Sequence, residues 1–180
     1  MIMLTDSDIV IYVLKKLNKV RGKKALQKII YFIKEYAVPL SYKFRWWYFG
    51  PFSKDLYDDI DFLIARDILH YDFEKHIISF KSKRNDIISD IIEQIDQTTA
   101  YKINEVINKL YEITKFDPFK LELAASIHFI LKYGTGLDNK NKDIIFRIIT
   151  DIKKDKTIRE ELFDSIWDSM RNNGFLRDLH

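Results

Sequence analysis

Apolar residues fall at helical spacing almost from the start of this chain. Ile9, Val10, Val13, Leu14 and Leu17 form one stripe behind Thr5 and Asp8, a capping-box pair, so a first helix is expected over about 6–19, broken by Gly22. A second stripe, Leu26, Ile29, Ile30, Ile33 and Tyr36, predicts a helix over about 23–37 that turns Lys24, Lys28 and Glu35 outward and stops at Pro39. The period then drops to two. Tyr42, Phe44, Trp46 and Tyr48 alternate with Lys43, Arg45, Trp47 and Phe49, which reads as a strand with one aromatic face. Gly50-Pro51 is expected to end that strand, because proline has no N–H to offer a neighbour. Ser53 is placed to cap a helix over about 54–66 that carries Leu56, Tyr57, Ile60, Leu63 and Ile64. Ile68 to Phe73 and Ile77 to Lys81, parted by Glu74-Lys75-His76, read as a hairpin.

The second half is patterned as helix throughout. Stripes at Ile88, Ile91, Ile92 and Ile95 and at Ile103, Val106, Ile107 and Leu110 predict one long helix, or two meeting near Thr98-Thr99. Asp117-Pro118 opens a helix over 118–133 that is apolar on most sides and so is expected at the centre of the core. A loop over Gly134 to Lys142 and a short helix with Ile145, Ile148, Ile149 and Ile152 follow. Thr157 and Glu160 predict a capping box for a last helix that presents Phe163, Ile166, Trp167 and Met170 and ends at Gly174. Helix, helix, strand, helix, hairpin is the order of a winged helix-turn-helix unit. The expected fold is mainly α with a small β component, a winged helix-turn-helix-like lobe over 1–84 packed on a helical lobe over 85–180.

Residues 26–36, LQKIIYFIKEY, align without gaps on residues 123–133, LAASIHFILKY, with five identities in eleven positions. Leu56, Ile60, Leu63 and Leu69 also correspond in spacing to Phe163, Trp167, Met170 and Leu176. Either the second lobe is a diverged copy of the first, or two amphipathic helices in an isoleucine-rich chain look alike.

Composition narrows the chemistry. The 180 residues are 47% hydrophobic and 32% charged, as in a globular chain, and contain no cysteine, which removes disulfides, thiol catalysis and cysteine-ligated zinc. No apolar run approaches the roughly 20 residues of a membrane span, and no signal-peptide pattern opens the chain, so a cytoplasmic protein with no membrane partner is expected. No Walker loop, GxGxxG, GxSxG or HExxH occurs, so no catalytic residue, cofactor or metal is expected. His128, inside SIHFIL, reads as a satisfied core histidine before a catalytic base, and His180 as a terminal residue. Asp55, Asp58, Asp59 and Asp61 read as the solvated side of their helix before a cation site.

Charge is uneven. Residues 1–50 carry ten Lys and Arg against three acids, whereas 51–100 carry six against eleven. The helix over 53–67, which would enter the major groove in a winged helix, holds Lys54 and Arg66 against five aspartates, so groove reading is disfavoured. Two basic clusters remain. Lys15, Lys16, Lys19, Arg21, Lys23, Lys24 and Lys28 surround the first inter-helix turn, and Lys81, Lys83 and Arg84 follow Lys75 and His76 at the hairpin. Together they fit either sequence-independent phosphate contact or an ordinary lysine-rich surface. Trp46, Trp47, Tyr48, Phe49 and Phe52 exceed what one strand face needs. Because Trp46 and Trp47 point to opposite faces, Trp47 and Phe49 are either covered by the long middle helices or left as an anchor for a partner.

Leu26-Gln27-Lys28-Ile29-Ile30-Tyr31-Phe32, the aromatic strand ending in Tyr48-Phe49-Gly50-Pro51, and Leu56-Tyr57 at a helix start resemble the Panacea or SocA-like antitoxin domain and the related YwgA-like proteins. LELAASIHFI, Leu121 to Ile130, is similar to a second-half signature of the YwgA-like group, while the long second half departs from the simple antitoxin pattern. The resemblance implies a small helical domain without known catalytic residues and, in its antitoxin branch, neutralisation or delivery of a toxin through protein contacts. It makes Gln27, Lys28, Tyr31, Tyr48, Gly50, Pro51 and Tyr57 motif residues that support the strand-to-helix turn. The expected function is a non-enzymatic protein-binding regulator, of antitoxin type where the resemblance is followed, with Trp46 to Phe52 as its partner-binding stretch. A homodimer is compatible with that expectation. The alternative is a DNA-binding transcriptional regulator using the Lys15 to Lys28 region and the hairpin.

Overall fold

The computed structural model describes residues 4–81, 85–134, 141–153, 158–177 and 179. Among them the chain forms α1 (Asp6–Leu17), β1 (Lys19–Arg21), α2 (Gly22–Tyr36), β2 (Arg45–Trp47), β3 (Gly50–Phe52), α3 (Lys54–Ala65), β4 (Leu69–Asp72), β5 (Ile77–Phe80), α4 (Asn85–Gln94), α5 (Gln97–Thr114), α6 (Pro118–Tyr133), α7 (Lys142–Lys153) and α8 (Glu160–Asn172). The fold is mainly α with small antiparallel sheets. No described helix is long and apolar enough to cross a membrane.

Local chemistry accounts for most boundaries. Thr5 and Asp8 form the capping box of α1, with the Thr5 N–H donating to Asp8 Oδ2 at 2.8 Å. Asp96 and Asp117 each accept two backbone N–H bonds at the starts of α5 and α6, and Pro118 occupies the first turn of α6. The Asp96 cap splits the middle region into two helices at Ile95. Gly174, at φ +82°, closes α8. The expected Thr157 cap, the loop residues 135–140 and His180 lie outside the described residues; α8 follows Arg159, which makes no side-chain cap bond.

Two expectations for the first lobe are corrected. Gly22 does not separate two helices directly, because α1 ends at Asn18 (φ 64°) and the three-residue strand β1 intervenes before Gly22 begins α2. A strand this short leaves no readable alternation; it forms because Val20 is buried and pairs with Ile78 of β5. The resulting sheet has the order β1-β5-β4, antiparallel throughout, with Tyr71 opposite Ile78. The second correction concerns Gly50-Pro51. These residues do not end the aromatic strand but form β3, which folds back on β2 with Trp46 opposite Pro51 and Trp47 opposite Gly50. Proline is tolerated because each strand of a two-stranded sheet has a free edge.

One core cluster runs through both halves of the chain, from Ile9 and Leu14 through Leu26, Ile30 and Phe32 to Leu121, Ile127, Phe163 and Phe175. Its centre is α6, packed against α2, β3, α5, α7 and α8. Helices α2 and α6 run side by side in the same direction, with Tyr31 meeting His128 and Glu35 meeting Lys132. These partners occupy equivalent positions in the two segments matched by the internal alignment. Among the described residues the second half contains no strand, so α6, α7 and α8 stand without counterparts of the two hairpins.

Truncating the centre of this core should be costly. We expect Phe163→Ala, whose ring is fully buried, to destabilise the fold by about 3–5 kcal/mol. Urea denaturation followed by circular dichroism measures it.

Candidate functional site

The β2-β3 hairpin is the most exposed aromatic feature of the chain. Alternation places Tyr42, Phe44 and Trp46 inward: Tyr42 is buried, Phe44 lies 5.2 Å from the Tyr31 ring and Trp46 lies 6.0 Å from Phe129 of α6. Residues 42–44 join no ladder, and Lys34 Nζ donates to the carbonyls of Leu40 at 2.7 Å and Tyr42 at 2.6 Å. The turn itself is Tyr48-Phe49. Neither residue has positive φ, and Gly50 at +80° supplies the left-handed residue that closes a type I hairpin turn.

The tip stands clear of the core. Trp47, Tyr48 and Phe49 are 56%, 79% and 43% exposed. Of the two alternatives, cover by the middle helices is not what the structure shows: α6 packs on the hairpin, through Trp46 and Gly50, and Ile152 and Lys153 of α7 border Trp47 and Tyr48. Outside, Trp47 contacts Tyr48 edge-on at 5.5 Å, and Phe52 bridges Trp47 at 6.2 Å and Tyr57 at 5.9 Å. Lys24 Nζ lies 3.1 Å from the centre of the Phe49 ring, a cation over a π face.

The base of the hairpin is held by α2. Gln27 donates through Nε2 to Ser53 O at 2.9 Å and accepts from the Ser53 N–H at 3.0 Å, so one amide satisfies both backbone groups at the strand-to-helix junction. Ser53 in turn caps α3, accepting from the Leu56 N–H. Lys28, expected on the outer face of α2, is instead 2% exposed and donates to Pro51 O at 2.6 Å. Helical spacing misplaces it because the hairpin covers that side of α2. Burial pulls its pKa down to about 7; Glu122 opposes the fall, and Lys153 and Lys24 add to it. Gly50 packs so closely on α6 that a Cβ there would sit 2.6 Å from Ser126 Oγ.

His128 completes the contact between α2 and α6. Its Nδ1 and Nε2 each lie 2.6 Å from a tyrosine hydroxyl, Tyr31 and Tyr36, and Tyr36 donates to Phe175 O at 2.6 Å. Tyr36 has one proton, given to that carbonyl, so its oxygen accepts from Nε2–H and Nδ1 accepts from Tyr31. Every site on the imidazole is then satisfied in the neutral form. Burial, with Lys132 nearby, pushes its pKa down to about 3. The ring is a core histidine with no open position for substrate.

The charged residues divide differently from their sequence grouping. On α3, Asp58 pairs with Lys54 at 2.5 Å and Asp61 with Lys23, while Asp59 accepts from Tyr42 Oη at 2.7 Å and Ser7 Oγ at 2.9 Å. Asp59 is therefore a tie between α1, α3 and the segment before β2, not part of a solvated face. Of the basic set, Lys15, Lys16, Lys19, Arg21 and Lys24 are exposed. Lys28 is buried behind the hairpin, out of reach of a duplex backbone, Lys23 is engaged by Asp61 and Lys81 by Asp67 at 2.5 Å. Lys83 and Arg84 lie outside the described residues. No group of three or more His, Cys, Asp or Glu suited to a metal occurs among the described residues. No protein-family model matches the chain, and no curated protein matches it significantly.

Two outcomes follow from the buried polar contacts. Gln27→Ala leaves the Ser53 N–H unpaired in a fully buried place, while the Ser53 C=O keeps the Tyr57 N–H, and should cost about 1–3 kcal/mol in urea unfolding. His128 binds a proton more readily unfolded than folded, so stability should fall as pH drops from 6.5 toward 3. Urea midpoints across that range should decline less in a His128→Gln chain.

Proposed function

We propose that this chain is a non-enzymatic, cytoplasmic, protein-binding regulator of antitoxin type, whose N-terminal lobe is winged-helix-like and captures its partner with the β2-β3 tip. The observation that carries this reading is the run of exposed Trp47, Tyr48 and Phe49 on a hairpin whose base is clamped to α2. Large aromatic side chains on a pre-ordered backbone lose little entropy on binding and are the residues most enriched among interface hot spots. The helix order α1, α2, α3 with a β1-β5-β4 sheet supports the winged-helix comparison. The acidic α3 argues against that lobe reading bases, because its aspartates would face phosphate. The motif residues Gln27, Lys28, Gly50 and Pro51, which meet at the hairpin base, support the resemblance to the antitoxin domain.

A second reading, sequence-independent contact with duplex DNA, has one observation on its side. Arg21, Lys24, Lys75 and His76 border an open groove of about 890 Å³ that also holds Tyr71 and Phe73.

Partner capture separates the readings. Because both side chains are exposed, a Trp47→Ala, Tyr48→Ala double variant should keep the wild-type unfolding free energy within about 0.5 kcal/mol. It should bind the protein encoded by the adjoining reading frame at least roughly 30-fold more weakly, the loss of a hot spot. Equal binding by wild type and variant, or no complex with that protein, would overturn the reading. Random duplex should not bind at low salt; binding with a steep salt slope would favour DNA.

A further inference from the structure

Behind the hairpin tip, between β3 and the first turns of α2, lies a cavity of about 270 Å³. Its walls are Trp47, Phe49, Phe52 and Tyr57, and its polar edge is Lys23, Lys24 and Lys28 together with Gln27. Among the described residues no aspartate or glutamate lines it. We propose that this cavity is a binding site for a small organic anion with a flat apolar body, an arylcarboxylate in chemical class, its ring among the aromatic walls and its carboxylate at Lys28.

Three observations converge on that ligand. Four aromatic side chains define an apolar slot of a size suited to one or two fused rings, and such slots with few polar groups are the usual form of small-ligand sites. The charged groups, three lysines, are all donors. Gln27 is already used at both ends by Ser53, whereas Lys28 spends one of its three donors on Pro51 O and is buried at the cavity. A buried ammonium with one carbonyl partner gains most from an incoming anion, since desolvation already disfavours its charged form. At the mouth, Lys24 over the Phe49 ring places a further cation beside the walls, and Lys23 over the Tyr57 ring is shared with Asp61. Trp47 and Phe49 belong to both the tip and the cavity walls, but the cavity's test needs no partner protein, so failure of one reading is distinguishable from failure of the other.

Calorimetric titration of the full chain with 2-naphthoate and with the neutral alcohol 2-naphthylmethanol tests it. Saturable binding of naphthoate is expected, tighter than the alcohol by about tenfold. Lys28→Met should abolish that preference, and Lys24→Ala, an exposed change, should weaken naphthoate a few-fold without altering the fold. Wild type alone supplies an independent readout. Burial brings the Lys28 pKa down to about 7, with Lys153 and Lys24 adding to the fall and Glu122 opposing it, and Lys23 and Tyr57 share its cavity, so bound carboxylate should draw a proton onto it. Heats measured in buffers of different ionisation enthalpy should show that uptake. Absence of naphthoate binding, equal affinity for acid and alcohol with no proton uptake, or undiminished preference in a folded Lys28→Met chain would overturn the proposal.

Discussion

The structure depends on a constraint that α2 places on the rest of the chain: polar side chains on a buried helix must find partners within the protein. Gln27, Lys28 and Tyr31 all lie within two turns of α2 and are 1%, 2% and 0% exposed. Leaving such groups unpaired would cost about 1–3 kcal/mol each. Their partners are Ser53, Pro51 and His128, so one helix fixes the hairpin, the start of α3 and the flank of α6 together.

This arrangement explains how an exposed aromatic tip coexists with a defined backbone. Inward residues Phe44 and Trp46 pack on Tyr31 and Phe129, the Gln27 amide grips the junction with α3, and Gly50 closes on α6 where a Cβ would not fit. Trp47, Tyr48 and Phe49 are then free to face outward without loosening the strands. The same packing shapes the cavity behind them and places Lys28 at its edge. Exposure of the tip and burial of its base are two results of one set of contacts.

The sequence carried much of this plainly. Apolar stripes located α1, α2, α3, α6 and the β4-β5 hairpin to within a few residues, and the Thr5, Ser53 and Asp117 caps stand where their side-chain chemistry suggested. The period-two alternation gave the inward and outward faces correctly from Tyr42 to Trp47 but not at Tyr48, which it put on the inner face and which stands exposed in the turn. What it did not carry is tertiary. Lys28 sits at an outer position of its own helix, and only the hairpin laid over it makes that position interior. Pro51 signals a strand end unless a two-stranded sheet leaves it an edge. Asp59 reads as one more surface acid until Tyr42 and Ser7 are found on it.

Amide hydrogen exchange at Ser53 tests most directly the claim that α2 holds the hairpin through its buried polar side chains. The Ser53 N–H, donating to Gln27 Oε1 in a fully buried site, should exchange as slowly as core helical amides such as those of Ile29 and Ile30. In a Gln27→Ala chain it should exchange much faster while those helical amides stay protected. Rapid exchange at Ser53 in the wild type, or protection unchanged by the substitution, would contradict it.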